Sequence, residues 1–180
     1  MDYLKFLEKE GVILKGHFLL TSGLHSDTYF EKFRLIEKPF LLSRLLKKLL
    51  EGLEDIDWVV GPVVGGAIIA FESARILKCR AAFSEKTENG MVLKRGFDIK
   101  EDEKIIVVDD VLTTGKSITG TLNALKGKNI SGIYVLIDRS ENNINLNYPL
   151  KSLIKYPVIN YKPEDCPLCK KNIPLIRRGG

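Results

Sequence analysis

The stretch from Ile105 to Ser117 reads Ile-Ile-Val-Val-Asp-Asp-Val-Leu-Thr-Thr-Gly-Lys-Ser. Its four leading β-branched residues are typical of a strand that is buried on both faces of a parallel sheet. Asp109 and Asp110 follow at once, and a short Thr/Gly turn then leads into an apolar-periodic stretch. Such a turn, together with a helix N-terminus, presents N–H groups that bind phosphate. The two carboxylates suit the vicinal hydroxyls of a sugar or a magnesium ion. The stretch therefore predicts a site for a ribose that carries a 5-phosphate.

Strands and helices alternate along the rest of the chain. The predicted strands are Trp58–Val60, Arg80–Ser84, Ile105–Val108 and Ile133–Ile137, after β-like alternation within residues 12–36. The predicted helices span residues 2–10, 39–53, 66–77 and 117–126. This alternation predicts an α/β fold with a doubly wound parallel sheet, whose ligands bind at the carboxyl ends of the strands. Gly61, Asp109 and Asp138 each follow a predicted strand, so we expect them to face one cleft.

Composition narrows the class of protein. The 180 residues suit one domain, and 44% hydrophobic and 28% charged residues are ordinary globular values. The net charge of +5 suits a polyphosphate substrate, whereas scattered basic residues make a nucleic-acid partner the weaker explanation. No apolar run approaches the roughly 20 residues that span a bilayer, so no membrane partner is expected. The first five residues lack a signal-peptide core, and three cysteines make no disulfide framework. We therefore expect a cytoplasmic protein.

The stretch from Val107 to Ser117 resembles the phosphoribosyl-pyrophosphate (PRPP) signature of type I phosphoribosyltransferases. In that family the two acids hold the ribose 2- and 3-hydroxyls, and the Thr/Gly loop cradles the 5-phosphate. The resemblance implies Mg²⁺ as a cofactor, met by Asp109 and Asp110 directly or through water. The alternative is a buried strand that ends in an acidic, solvated turn. The implied PRPP-binding residues are Asp109, Asp110, Val111, Leu112, Thr113, Thr114, Gly115, Lys116 and Ser117.

A glycine-rich segment, Gly61–Gly66, precedes one of the predicted helices. Its three glycines let backbone amides approach an anion closely. In the phosphoribosyltransferases the equivalent loop binds pyrophosphate, which implies Val63, Val64 and Gly65 as further PRPP contacts. Glycine-rich turns between strand and helix also occur for packing reasons alone.

The segment from Gly16 to Phe30 resembles the part of orotate phosphoribosyltransferases that covers the base. The resemblance lies in the Ser-Gly-x-x-Ser spacing that starts at Ser22-Gly23 and in the aromatic pair Tyr29-Phe30. We expect Ser22 and Gly23 to bond the edge of the base and Tyr29 or Phe30 to stack on it. A core strand after a turn is the alternative. Thr21 departs from the pattern, because the well-known branch has a lysine there.

An arginine follows the predicted strand at Ile133–Ile137. The family places an arginine at the position of Arg139 that pairs with the orotate carboxylate, and a guanidinium fork suits a planar carboxylate. Thr113 is implied as a second contact to orotate. A solvated arginine at a strand end is the alternative.

The segment Glu85–Glu103 is polar, contains Gly90 and Gly96, and shows no stripe broad enough to pack it against its own chain. In the family a flexible loop at this place closes over the pyrophosphate, often on the neighbouring subunit of a dimer. We therefore expect a homodimer and Lys86 as a catalytic, PRPP-binding residue, with Lys94 and Arg95 in reserve. The usual Arg-Lys pair followed by Lys and His is absent, and a solvated charged hairpin is the alternative.

Near the end of the chain, Cys166-Pro167-Leu168-Cys169 supplies two of the four ligands that a structural zinc ion needs. Two chains of a symmetric dimer would combine into a four-thiolate site, and a turn in a packed tail is the alternative. Together with Leu93–Phe97, this motif resembles a thermophile-type branch of the orotate enzymes.

These resemblances imply one domain over residues 1–180, of the type I phosphoribosyltransferase kind with a small N-terminal hood. The expected parts are a hood at 1–36 that covers the base, an α/β core at 37–150 and a tail at 151–180. The implied reaction joins orotate to PRPP and gives orotidine 5-monophosphate and pyrophosphate. The same chemistry on another base, or a PRPP-sensing regulator that binds nucleic acid, are the alternatives.

Overall fold

The computed structural model of the chain describes residues 3–141 and 144–178. The helices are α1 (Tyr3–Lys9), α2 (Phe33–Ile36), α3 (Pro39–Leu49), α4 (Gly65–Leu77), α5 (Lys116–Ala124) and α6 (Pro167–Lys170), with a 3-10 turn at Pro163–Asp165. The strands are β1 (Ile13–Leu19), β2 (His25–Phe30), β3 (Trp58–Pro62), β4 (Arg80–Thr87), β5 (Gly90–Leu93), β6 (Lys104–Leu112), β7 (Asn129–Asp138), β8 (Leu150–Lys155), β9 (Asn160–Tyr161) and β10 (Ile176–Arg177). Within these residues, no helix has the length and apolar character needed to cross a membrane.

The main sheet has six strands in the order β5-β4-β3-β6-β7-β8. All its pairings are parallel except the β4–β5 hairpin. Helix α4 connects β3 to β4 and helix α5 connects β6 to β7, as the alternation in the sequence predicts, and the α/β fold class is confirmed. The sheet continues beyond the predicted elements, because β8 pairs in parallel with β7.

The central strand β6 is buried on both faces. Ile106 and Val108 pack in the core that α3 and α4 cover, whereas Ile105 and Val107 pack in the core on the α5 side. All four side chains are fully buried. Burial of a side chain of this size stabilises a fold by about 1.5–3 kcal/mol. The β-branched run therefore fixes β6 in the middle of the sheet.

A second sheet of four strands, in the order β10-β1-β2-β9, forms the hood. The antiparallel pair β1–β2 comes from the N-terminal segment. Two short strands from the end of the chain complete the sheet, β9 beside β2 and β10 beside β1. The residues of the tail at 151–180 are thus shared between the main sheet and the hood.

The segment 85–103 packs against its own chain, so the prediction that it lacks such packing is wrong. Its first part is the β4–β5 hairpin. Beyond the hairpin, the ring of Phe97 contacts those of Trp58 and Phe83, with centroid distances of 6.4 and 5.3 Å. Ile99 is buried, and Glu103 accepts a hydrogen bond of 2.7 Å from the indole N–H of Trp58. Apolar residues that are isolated in the sequence are thus brought together by the sheet.

Candidate active site

A cleft of about 270 Å³ opens at the carboxyl ends of β3, β6 and β7. The end of a strand, the start of a helix and the hood each contribute to its walls, in the position where open α/β sheets bind ligands. Its lining residues are Phe30, Lys32, Pro62, Val63, Val64, Gly65, Gly66, Asp109, Asp110, Val111, Thr113, Ser117 and Arg139. The structure thus brings together residues from four of the predicted motifs: the base-covering segment, the glycine-rich loop, the PRPP signature and the arginine after β7.

The acid pair lies within β6 rather than after it, because β6 pairs with β7 as far as Leu112. Asp109 and Asp110 are 8% and 4% exposed. The backbone N–H of Asp110 donates to Oδ1 of Asp109 at 2.8 Å, and that of Val111 donates to Oδ1 of Asp110 at 2.7 Å. These bonds fix both carboxylates and leave the second oxygen of each for another partner.

The pKa of Asp109 is raised from 3.8 to about 7, first by burial and then by the negative charge of Asp110. Lys32 acts in the opposite direction. Its Nζ lies 3.0 Å from Oδ2 of Asp110. Sequence reasoning missed Lys32, because it lies 78 residues before Asp110 and outside every motif. Its position two residues after the predicted base-stacking pair is the only signal for it.

The glycine-rich loop between β3 and α4 packs directly on the acid pair. A Cβ atom at Gly65 would lie 1.8 Å from Oδ2 of Asp110, and one at Gly61 would lie 2.1 Å from the carbonyl oxygen of Gly66. A side chain at Gly61 would clash with backbone, and one at Gly65 would have to displace the carboxylate of Asp110. Between them runs a cis peptide bond from Val63 to Val64. The glycines therefore serve packing, and they also leave backbone at the floor of the cleft.

The turn after β6 forms a separate pocket of about 30 Å³, lined by Asp109, Val111, Leu112, Thr113, Thr114, Gly115, Lys116, Ser117 and Ile118. Gly115 has φ 75° and precedes the first residue of α5. The N–H groups in the first turn of a helix have no partner within the helix. This loop therefore has the geometry of a phosphate cradle beside the acid pair.

The match to known families agrees with this geometry. The family model described as a phosphoribosyl transferase domain matches residues 40–168, which include the glycine-rich loop, the acid pair and the phosphate cradle. The chain belongs to the phosphoribosyl transferase family. The resemblance that the sequence motifs indicate is thereby confirmed.

Individual relatives point to one branch of the phosphoribosyl transferases. The chain is 45% identical to an orotate phosphoribosyltransferase of Thermoanaerobacter sp. (strain X514), over 99% of this chain and 96% of the relative. It is 42% identical to an orotate phosphoribosyltransferase of Thermotoga maritima, over 97% and 96% of the two chains. A crystal structure of orotate phosphoribosyltransferase from Aeropyrum pernix superposes with a TM-score of 0.72 at 26% identity, over 84% of this chain and 92% of that one.

Arg139 lies on the hood side of the cleft of this phosphoribosyltransferase. Its Nη2 donates to Oδ1 of Asn160 at 3.1 Å, and its guanidinium carbon lies 5.2 Å from the ring centroid of Phe30. Burial lowers the pKa of Arg139. The contacts to Phe30 and Asn160 hold a partly desolvated cation in one place, where it suits a planar anionic ligand.

Other predicted residues lie away from this cleft. Tyr29 packs against Phe18, with ring centroids 5.6 Å apart. Ser22 is exposed in the β1–β2 turn, and Gly23 lines a different pocket together with Thr21 and Arg177. Of the aromatic pair, the structure thus brings Phe30 to the cleft, while the roles of Tyr29, Ser22 and Gly23 stay predictions.

Lys86 is exposed on β4, and Lys94 is exposed just beyond β5. The Nε of Arg95 lies 2.9 Å from Oε1 of Glu85 in an ion pair. The structure places none of these three basic residues among those that line the cleft. Cys166 and Cys169 also lie outside it, next to His17 and His25 of the hood.

Proposed function

We propose that this protein transfers the 5-phosphoribosyl group from PRPP to orotate and gives orotidine 5-monophosphate and pyrophosphate, a step of pyrimidine nucleotide synthesis. The observation that carries the proposal is the cleft itself. A buried acid pair and a partly buried arginine line one cleft, and the phosphate cradle adjoins this cleft through residues that line both pockets, in a chain with orotate phosphoribosyltransferases as relatives.

In the proposed reaction, N1 of orotate bonds to C1 of the ribose as the bond from C1 to the pyrophosphate oxygen breaks, and the proton of N1 passes to solvent or to the departing pyrophosphate. Positive charge develops on the ribose at the transition state. Asp109 and Asp110 hold the 2- and 3-hydroxyls, and the Thr113–Ser117 loop holds the 5-phosphate. The backbone at Val63–Gly65 holds the pyrophosphate. No side chain needs to act as a covalent nucleophile, since catalysis comes from alignment of the two substrates and from stabilisation of the leaving group.

Mg²⁺ fits the donor set at the acid pair. Mg²⁺ prefers carboxylate oxygens together with substrate phosphates and several waters. Asp109 and Asp110 each keep one carboxylate oxygen free of backbone hydrogen bonds, and these two side chains would hold the ion directly or through water. When bound, the ion supplies positive charge to the departing pyrophosphate. Lys32 is already 3.0 Å from Asp110 and balances part of the acid pair's charge.

Recognition of orotate is assigned to the hood side of the cleft. Arg139 pairs with the orotate carboxylate, and Phe30 supplies an apolar face for the pyrimidine ring. Thr113 lines both the main cleft and the pocket beside Arg139, which supports its role as a further contact. Ser22, Gly23 and Tyr29 belong to the same proposal and would need to approach the cleft when the base binds.

A homodimer is part of the proposal. Val64, Ile68 and Phe71 are exposed large apolar residues of α4 and its N-cap, with Phe71 69% exposed. Their spacing of four and three residues puts them on one face of the helix. An exposed apolar stripe of this kind favours a subunit interface. Val64 also lines the cleft, so a partner that covers this stripe would lie beside the pyrophosphate loop.

Lys86 is proposed to act in the partner's cleft, because it is exposed and does not line the cleft of its own chain. Its charge would stabilise pyrophosphate as it departs. A mixture of the Lys86→Ala chain with the Asp109→Asn/Asp110→Asn chain should then regain activity, since one site of a mixed dimer has both parts intact. Mixed dimers that form but stay inactive would contradict the arrangement between subunits. A fully active Lys86→Ala protein would transfer the role to Lys94 or Arg95.

A cytoplasmic location is also part of the proposal. All three cysteines are free, as expected for a reducing compartment.

The direct test follows the consumption of orotate in the presence of PRPP and Mg²⁺. We expect the wild-type protein to turn over orotate. Turnover of another base but not of orotate would overturn the assignment. Arg139→Ala should raise the KM for orotate by at least about 30-fold, the lower end for loss of a partly buried charged pair. The KM for PRPP should change little. Arg34→Ala, which removes an exposed arginine paired with Glu37, is the matched control.

A further inference from the structure

Four side chains that bind transition metals converge in the hood, away from the proposed active site. His17 comes from β1, His25 from β2, and Cys166 and Cys169 from the start of α6. Their ligand atoms all lie within 4.8 Å of one another. His17, His25 and Cys166 are 1%, 5% and 0% exposed. A buried group of two imidazoles and two thiols at these distances has the composition of a structural zinc site.

Three distances within the group are close to the edges of a coordination tetrahedron around zinc. Zn–N and Zn–S bonds of about 2.0–2.3 Å require ligand atoms about 3.3–3.8 Å apart. Sγ of Cys166 and Sγ of Cys169 lie 3.4 and 3.7 Å from Nε2 of His17. Sγ of Cys169 lies 3.3 Å from Nδ1 of His25, and the two imidazole nitrogens are 3.0 Å apart. These three contacts between sulfur and nitrogen have the lengths that one zinc ion would set, and all four ligand atoms lie within 4.8 Å of one another.

The surroundings orient His17 as a ligand. Its Nδ1 lies 2.8 Å from the carbonyl oxygen of Ile173. Since a carbonyl only accepts, Nδ1 carries the proton and Nε2 presents a lone pair. That lone pair faces His25 Nδ1 and both sulfur atoms at once, more partners than one lone pair serves as a hydrogen-bond acceptor. A backbone carbonyl on the far nitrogen is the usual support of a metal-binding histidine.

We propose that His17, His25, Cys166 and Cys169 of a single chain bind one Zn²⁺ ion. The two thiols release their protons to solvent when the ion binds, so both sulfur atoms ligate as thiolates. The two histidines take the place of the second pair of cysteines that a four-thiolate site between two chains would need. Nitrogen and thiolate ligands in a tetrahedral arrangement select zinc over the harder magnesium ion.

The site is structural. All four coordination positions are filled by protein, which leaves none for a substrate, and none of the four residues lines the cleft. The ion joins segments that are far apart in sequence, since Cys166 lies 149 residues after His17. It would clamp the end of the chain onto the hood between β9 and β10. Because Asn160 of β9 accepts the hydrogen bond from Arg139, the clamp also supports the side of the cleft proposed for the base.

The first experiment measures metal in the protein purified without added chelator. We expect about one zinc ion per chain, and half that value would indicate the four-thiolate site between two chains and overturn the proposal. Cys166→Ser/Cys169→Ser and His17→Asn should each lose the metal. Cys79→Ser is the matched control, because Cys79 is the remaining free cysteine and lies outside the group, and it should keep the full zinc content.

A second experiment does not depend on variants that fold. Wild-type protein stripped of zinc is titrated with Co²⁺, which gives intense visible absorption only in a tetrahedral site and a sulfur-to-cobalt charge-transfer band only with thiolate ligands. We expect both signals to saturate at about one Co²⁺ per chain and zinc to abolish them. We also expect the stripped protein to melt at a lower temperature and to recover with zinc. Stripped protein with no cobalt signal, or with a disulfide between Cys166 and Cys169 and no metal in any preparation, would overturn the proposal.

Discussion

Replacement of Asp109 by asparagine is expected to make the ligand-free protein more stable at alkaline pH while it abolishes turnover. Burial and the neighbouring Asp110 raise the pKa of Asp109 to about 7. A carboxyl with a raised folded-state pKa contributes its full stability below its unfolded pKa, near 4. That contribution is lost as the pH rises through 7. The wild-type protein therefore loses stability between these limits, whereas asparagine has no proton to lose.

The size of the effect follows from the shift. About two pKa units of the shift of Asp109 take effect between pH 5 and pH 8. Each unit corresponds to 1.36 kcal/mol, so the wild-type protein loses up to about 3 kcal/mol of stability over this range. The backbone N–H of Asp110 donates to Oδ1 of Asp109 at 2.8 Å, and an asparagine Oδ1 accepts the same bond. The difference in free energy of unfolding between Asp109→Asn and the wild type should thus grow by up to about 3 kcal/mol over this pH range.

Urea unfolding at both pH values measures this difference. The buffer omits Mg²⁺ and PRPP, because either ligand would add its own stabilisation to the folded state. Asp98→Asn, which removes an exposed carboxylate next to Lys100, controls for the loss of one negative charge. If the difference between Asp109→Asn and the wild type changes by less than about 0.5 kcal/mol, the acid pair does not carry the proposed electrostatic cost.

Three further predictions test the site and the fold. Gly65→Ala should lower the free energy of unfolding in urea by about 1–3 kcal/mol, since its Cβ would lie 1.8 Å from Asp110 Oδ2. The displaced carboxylate should also weaken PRPP binding, measured by calorimetry. Unchanged PRPP affinity would contradict the close packing of Gly65 on Asp110. Lys32→Met should raise the pKa of Asp109 further, because the charge of Lys32 lowers it. The pH-dependent loss of stability should therefore extend to higher pH. An unchanged dependence of stability on pH would exclude the electrostatic coupling between Lys32 and Asp109. Phe97→Ala should destabilise the protein by about 2 kcal/mol and speed proteolysis within residues 85–103. Unchanged stability and unchanged proteolysis would show that Phe97 does not hold this segment in place.

The central part of the fold could be predicted because its signals are local. The run Ile105–Val108 has one reasonable environment, a strand buried on both faces, and the structure places it there. Glycine-rich and Thr/Gly turns mark where such strands become helices. The strands β8, β9 and β10 carry no comparable signal. They are short or partly exposed, and they pair because the neighbouring strand is already in place, which depends on tertiary structure.

The functional residues also divide into those that the sequence predicts and those that only the folded structure brings together. The acid pair and the phosphate cradle lie within one stretch of chain, so spacing alone predicts that they act together. His17 and His25 had no such mark, because their partners Cys166 and Cys169 lie about 150 residues away and a single C-x-x-C motif names only two ligands. The packing of Phe97 was missed for a related reason. Phe97 is an isolated aromatic residue in a polar segment, and its partners Trp58 and Phe83 come beside it only in the folded sheet.

Two adjacent buried acids are an unfavourable choice for stability alone. Apolar residues at these two positions would extend the β-branched run of β6 and would remove both the desolvation and the repulsion that raise the pKa of Asp109. The close approach of Gly65 to Asp110 adds a position where any side chain would displace a buried carboxylate. Residues that lower the stability of the fold, such as buried adjacent carboxylates, are expected where a bound ligand stabilises them. Sugar hydroxyls that donate to the carboxylates, and a cation between carboxylates and phosphates, are such interactions. PRPP together with Mg²⁺ should therefore stabilise the wild-type protein more than Asp109→Asn.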